Sequence, residues 1–226
     1  MMITNVVHSQ TRHGVLVLLG LALAGCVAPL ATHHGARAEP FYTPKNITGE
    51  PHLPAGMRRV VLLPVYGGGL VPAETATVLD QVFSAALLRQ ARFEVVSFSR
   101  EDCQRWFGSS DFSSTAALPH GFIQTVASRH AADAVIFVDV TAYSAYRPLV
   151  LGIRAKLATA EDIHLVWAID EVFSAAEPAV ARSAHQYFAQ NDHQQLPVDL
   201  SSAMEQRPAR FGAYVADTVF RTLPPR

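Results

Sequence analysis

Apolar positions along this chain follow three rhythms. From Gly14 to Gly25 they are unbroken, made only of Val, Leu, Ala and Gly. From Val27 to about residue 57 there is neither alternation nor a helical stripe, and Pro29, Pro40, Pro44, Pro51 and Pro54 punctuate the segment. From Arg59 onward, short runs rich in β-branched residues trade places with stripes of helical spacing. Val60 to Val65 reads as a buried strand that ends at Gly67-Gly68-Gly69. Pro72 then suits the first turn of a helix whose apolar face is Leu79, Val82, Phe83, Ala86 and Leu87. Phe93 to Phe98 is a second strand. Ser99 with Asp102 forms a capping pair for a short helix through Phe107, and Pro119 opens another, lined by Phe122, Ile123, Val126 and Ala127.

Three strand-like runs follow in close succession: Ala134 to Tyr143, Leu149 to Leu157, and His164 to Phe173, the last carrying Leu165, Trp167 and Ile169 on one parity. Their links are too short for a helical crossover, so they should pair antiparallel as a meander. Glu177 to Ala189 and Pro208 to Leu223 read as closing helices, with Phe211, Val215, Thr218 and Val219 striping the last. The order predicts an α/β (mixed α+β) fold: a mixed sheet of about five strands, built as β-α-β-α-α, then a three-strand antiparallel meander, then two helices.

Composition narrows the class. The chain has 226 residues, 18 basic against 19 acidic, and half its residues are apolar. That balance lacks the basic excess of a nucleic-acid binder and excludes disorder throughout. A mean hydropathy of +0.17 is high beside 14 prolines and 10 histidines, and the excess sits largely in the first 25 residues. The run from Gly14 to Gly25 is too short for a transmembrane helix, which needs about 20 apolar residues. Arg12 and His13 precede it and no acidic residue occurs before Glu39, the pattern of a secretory signal.

That segment ends in Leu23-Ala24-Gly25-Cys26, which resembles the lipobox of bacterial lipoproteins. The resemblance implies that Cys26 becomes the mature N-terminus and carries a diacylglyceryl thioether and an N-acyl chain such as palmitate. Several acyl chains hold a protein at a bilayer far more firmly than one. Val27 stands where an Asp favours inner-membrane retention in that family, so the resemblance implies the periplasmic face of the outer membrane. The organisation that follows is a signal peptide over 1–25, a lipidated Pro-rich tether over 26–57, and one domain over 58–226. The order of elements, with Val61-Leu62-Leu63-Pro64-Val65 leading and Ala132-Asp133-Ala134-Val135-Ile136-Phe137-Val138-Asp139-Val140 after a helix, also looks like the α/β domain of envelope lipoproteins. These include the curli-secretion lipoprotein, penicillin-binding-protein activators and flagellar-assembly lipoproteins. It implies a non-catalytic role in envelope assembly, through contact with another envelope protein or with itself.

Candidate chemistry is sparse. Two cysteines cannot build a disulfide framework or a four-thiolate zinc site. Cys103 shares a helix face with Trp106 and Phe107, as a small buried hydrophobe would, although Arg100 and Arg105 nearby leave open a reactive thiol. His33, His34 and His52 have no ligand-spaced partners, and His120, His130, His164 and His185 are scattered, so neither metal nor cofactor is expected. Gly67 to Gly69 sits where a phosphate-binding loop could, which leaves a small-ligand sensor as one alternative. However, no Gly-Lys-Ser/Thr follows, and Pro72 lacks a donor. Asp139, Asp170 and Glu171 raise a second alternative, a peptidoglycan-directed hydrolase. Arg154 and Lys156 on the intervening strand point instead to cross-strand ion pairs. Tyr143, Tyr146 and Arg147, in one hairpin link, are the residues expected to touch a partner.

Overall fold

A computed structural model describes residues 42–191 and 208–226. The signal segment, Cys26 and the first part of the tether lie outside the described residues.

The apolar run at Val60 to Val65 is buried on both faces because it lies inside the sheet. Its strand β2 (Arg59–Leu62) pairs in parallel with β3 (Glu94–Ser97) on one side and β4 (Ala134–Ser144) on the other. Between β2 and β3 runs helix α1 (Ala73–Arg89), followed by α2 (Arg100–Phe107) and α3 (Phe122–His130) before β4. The expected meander is present: β4, β5 (Val150–Thr159) and β6 (Leu165–Ser174) pair antiparallel in sequence order. Helices α4 (Pro178–Asn191) and α5 (Pro208–Arg221) close the fold.

The sheet has six strands, not about five. Strand β1 (Ile47–Gly49) pairs antiparallel with β6, giving the order β1-β6-β5-β4-β2-β3. It lies in the segment expected to be tether, and Leu53 and Met57 from the same segment are buried in the core. Leu53 N–H donates to the Pro225 carbonyl at 2.8 Å, so the two ends of the described chain are stitched together. A three-residue strand shows no periodicity, and this one exists only because the edge of β6 offers it partners.

Alternation along the strands separates two cores. On one face Val60, Leu62, Ile136, Val138, Ile153, Leu157, Trp167 and Ile169 pack under α1, α4 and α5. On the other face Val61, Leu63, Val135 and Phe137 meet Phe98, Cys103, Phe122, Ile123 and Val126 from the α2–α3 side. Two register shifts redirect side chains. One falls between Val140 and Ala142 opposite Gly152, and one between Leu157 and Ala158. The second takes Leu165 off the parity of Trp167 and Ile169: Leu165 is exposed and Val166 is buried in its place.

Local signals explain the helix ends. The Ser99 hydroxyl accepts from Asp102 N–H at 3.0 Å and donates to its carboxylate at 2.8 Å, the expected capping pair. Gly108, at φ 77°, ends α2 in the left-handed conformation that favours glycine. Among the described residues no helix is long and apolar enough to cross a membrane.

Candidate functional site

The three carboxylates of the meander do not converge. Asp139 and Asp170 both lie opposite Arg154 in register, on the face shared with α2 and α3, and two strand spacings of about 4.8 Å separate them. Glu171, one residue on, points to the opposite face.

Each carboxylate is occupied by its own neighbours. Asp139, only 3% exposed, accepts from Ser113 Oγ at 3.1 Å, Ser114 N–H at 3.0 Å and Ser114 Oγ at 2.8 Å. It thereby clamps the α2–α3 connection onto the sheet, and Lys156 Nζ adds a 3.0 Å bond to the Ser114 carbonyl. Asp170 is paired with Arg154 at 2.6 Å. The expected cross-strand ion pair is therefore present for Asp170, whereas the serine loop holds Asp139. Glu171 accepts from Tyr42 Oη at 3.2 Å and from the backbone N–H of Lys45 at 2.8 Å, which fixes the entry of the chain beside β6. Burial, with Glu171 second, pushes the Tyr42 phenol up to about 12, so it stays protonated and donates. Bonds of this number and sort hold the three carboxylates in place, each engaged with the scaffold and none facing another.

A half-buried charge cluster ties α1 and α2 to the segment after β2. Arg100 donates to Asp80 at 2.6 Å, to Asp111 at 2.7 Å and to the Val65 carbonyl at 2.6 Å. Asp80 also accepts from Val65 N–H at 2.7 Å. Burial pushes the Asp80 carboxyl up against the pull of Arg100 and the Val65 N–H. The charge composition alone does not show this network, because its members come from four separate segments.

An open cleft of about 590 Å³ lies at the other end of the strands, between α3 and the β5–β6 hairpin. Its polar groups are also engaged. Asp133 accepts from the N–H groups of Arg58 and Arg59 at 2.7 and 2.9 Å. His164 Nε2 lies 2.5 Å from Glu50. Among the described residues no group of three or more His, Cys, Asp or Glu could hold a metal ion. His130 packs its ring against Phe98 with centroids 5.5 Å apart, and His120 and His185 are exposed. Cys103 is fully buried, and desolvation pushes its thiol up to about 12, which removes the thiolate a reactive cysteine needs. The Gly67–Gly69 loop is a tight turn closed by Leu70 N–H on the Gly67 carbonyl at 2.9 Å.

The hairpin link separates its residues. Tyr143 faces inward, lining a small hollow with Val78, Leu79, Leu151 and Phe211. Tyr146 is 84% exposed, and Arg147 and Pro148 beside it are exposed too. Strand parity could have placed Tyr143 inside only if the bulge at Thr141 had been foreseen. A second accessible surface escaped the sequence reading: over β5 and β6 the second sheet face carries Arg154, Lys156, Ala168, Asp170 and Val172, none of them buried. All of these but Val172 border a 270 Å³ hollow with Asn46 and Thr48.

No protein-family model and no curated protein sequence matches this chain. Solved structures similar to it include a variant PelC dodecamer from Paraburkholderia phytofirmans, at 12% identity over 61% of this chain and 88% of that one, with a TM-score of 0.40. The lipoprotein GNA1162 from Neisseria meningitidis is 15% identical over 59% of this chain and 96% of that one, TM-score 0.42. The LpoB C-terminal domain from Salmonella enterica is 16% identical over 51% and 82%, TM-score 0.36. At these scores the likeness is remote and assigns no function.

Proposed function

We propose that this chain is a non-catalytic lipoprotein, anchored through Cys26 to the periplasmic face of the outer membrane, whose domain acts by contact with another envelope protein or with copies of itself. The observation that carries the non-catalytic reading is the commitment of Asp139, Asp170 and Glu171 to separate structural partners on opposite faces of the sheet. The anchor is carried by Leu23-Ala24-Gly25-Cys26 behind its apolar run. Two surfaces are available for contact: the uncovered sheet face around Arg154, Lys156 and Val172, and the link bearing Tyr146 and Arg147. Residues 42–57, part of the segment 26–57 expected to be tether, then belong to the domain.

The test is in-cell crosslinking of the wild-type protein with membrane fractionation and mass determination. Wild type should carry acyl chains, fractionate with the outer membrane and yield a discrete crosslinked species. Crosslinks confined to its own chain identify a self-assembling element. Unchanged fractionation of Cys26→Ser would sink the anchor, and turnover of peptidoglycan by the purified protein would sink the non-catalytic reading.

A further inference from the structure

We propose that the β5–β6 turn of one copy of this chain docks on the uncovered sheet face of a second copy, so that molecules join head to tail. The proposal rests on the reading of the domain as a contact module and selects its self-assembling form.

The turn presents side chains instead of burying them. Ile163 and Leu165 are exposed there, beside the exposed carboxylates of Glu161 and Asp162. Ile163 has a φ of 57°, in the left-handed region that a β-branched residue scarcely enters. Bonds within the turn hold its backbone there. His164 N–H donates to Thr159 Oγ1 at 2.8 Å, Thr159 N–H donates to the His164 carbonyl at 2.9 Å, and the Thr159 hydroxyl bonds the Asp162 carboxylate. His164 Nε2 lies 2.5 Å from Glu50, which braces the turn against the end of β1. Glycine or asparagine would relax this position, yet the chain keeps an isoleucine that belongs to neither core. Strain kept with no gain to the domain's own packing marks a place where something else packs.

The receiving face is complementary in shape of charge and in apolar character. Across β5 and β6, Val172 lies opposite Gly152, Asp170 opposite Arg154 and Ala168 opposite Lys156, so these side chains share one face. Gly152 offers Val172 no cross-strand side chain, and its isopropyl group is left exposed. Arg154 is neutralised by Asp170 at 2.6 Å. The Lys156 ammonium meets the Ser114 carbonyl at 3.0 Å but, among the described residues, no carboxylate within ion-pair range. Among the same residues Glu161 has no cation within that range. An uncompensated carboxylate beside exposed Ile163 and Leu165 thus matches an uncompensated ammonium beside Ala168 and exposed Val172.

Turn and face belong to one rigid hairpin, paired from Val150 with Ser174 to Ala158 with Leu165. The turn extends along the strands and cannot fold back over their own face, so the match is satisfied only between molecules. Because both halves of it lie on this chain, the occupant it selects is a second copy. Two different patches in contact make a heterologous interface, which propagates into a ring or a filament.

Mixed-isotope crosslinking and charge reversal test the interface. Full-length isotope-labelled and unlabelled chains are mixed in phospholipid vesicles and treated with a zero-length carbodiimide, which joins a carboxylate to an amine. Peptides linking Lys156 to Glu161 are expected in mixed-isotope form. Glu161→Lys and Lys156→Glu should each weaken self-association about tenfold or more, read by sedimentation in detergent, because like charges then meet. Mixing the two variants, or combining both changes in one chain, should restore it. Ile163→Asn separates docking from folding: asparagine accepts the left-handed backbone, so the variant should unfold at no lower urea concentration than wild type while associating more weakly. A wild-type assembly that survives both Glu161→Lys and Ile163→Asn overturns the proposal. So does a chain that stays monomeric. If that monomer crosslinks a different envelope protein in cells, the contact reading stands without self-docking; if it captures nothing, both fall.

Discussion

Asp139 offers the sharpest separation between a structural and a catalytic carboxylate. Replacing it with alanine removes the acceptor of three donors, Ser113 Oγ, Ser114 N–H and Ser114 Oγ, at a site only 3% exposed. A hydrogen bond to a charged group contributes about 1.5–3 kcal/mol, and a donor left buried without a partner costs about 1–3 kcal/mol. Ser114 is half-buried, so water replaces part of what is lost, and the expected destabilisation of Asp139→Ala is about 3 kcal/mol. Asp139→Asn keeps the shape and one acceptor oxygen and should cost about half as much. With a urea slope of about 2 kcal/mol per molar, the alanine variant unfolds about 1.5 M earlier. Hydrogen exchange should accelerate at Ser114 N–H in both variants. If both unfold within about 0.3 M of wild type, the clamp is not a significant source of stability and the reasoning fails. A hydrolase built on Asp139 would show the opposite pair of results, with stability kept in Asp139→Asn and turnover lost.

Other expectations rest on other parts of the fold. Gly152→Ala places a Cβ 2.6 Å from Thr141 Oγ1 and 2.8 Å from Ala142 N, against backbone that the bulge holds in place, so a loss of about 2 kcal/mol is expected in the same urea assay. Cys103 should resist iodoacetamide at pH 8 in the folded protein and react on unfolding, because desolvation pushes its thiol up to about 12; labelling at the native rate of an exposed thiol would contradict its burial. The backbone N–H groups of Arg59 and Arg58 hold the Asp133 carboxyl below its usual value. Its contribution is therefore complete above the ordinary carboxylate range and is lost as pH falls through the lowered folded value. Thermal melts of Asp133→Asn should lie below wild type at pH 7 and converge with it in acid; a constant difference would be contrary evidence.

Much of the fold could be read before any coordinates. The apolar runs at Val60–Val65 and Ala134–Val138 are continuous because both faces of those strands are covered, and the short links between β4, β5 and β6 leave antiparallel pairing as the only economical geometry for the meander. Ser99 and Asp102 mark their helix start because a cap is an interaction over three residues, wholly local. The capacity of Cys103 to be buried followed in the same way from its neighbours on one helix face.

What depended on distant parts of the chain could not be read in this way. β1 is a strand only because β6 presents an edge, and Leu53 and Met57 are core only because the C-terminal end folds back beside them. One-residue bulges at Thr141 and Val166 turn Tyr143 inward and Leu165 outward, and a shift of one residue reverses every side chain that follows it. The carboxylates illustrate the same division. Sequence placed Asp139, Asp170 and Glu171 on neighbouring strands. Their fates were decided by a serine loop, an arginine and the entering chain, each brought from elsewhere. The sequence by itself determined the order of elements, since each is written in contiguous residues. Only the tertiary structure decided where the segment from Tyr42 packs and which partner holds Glu171, because those depend on contacts between segments more than a hundred residues apart.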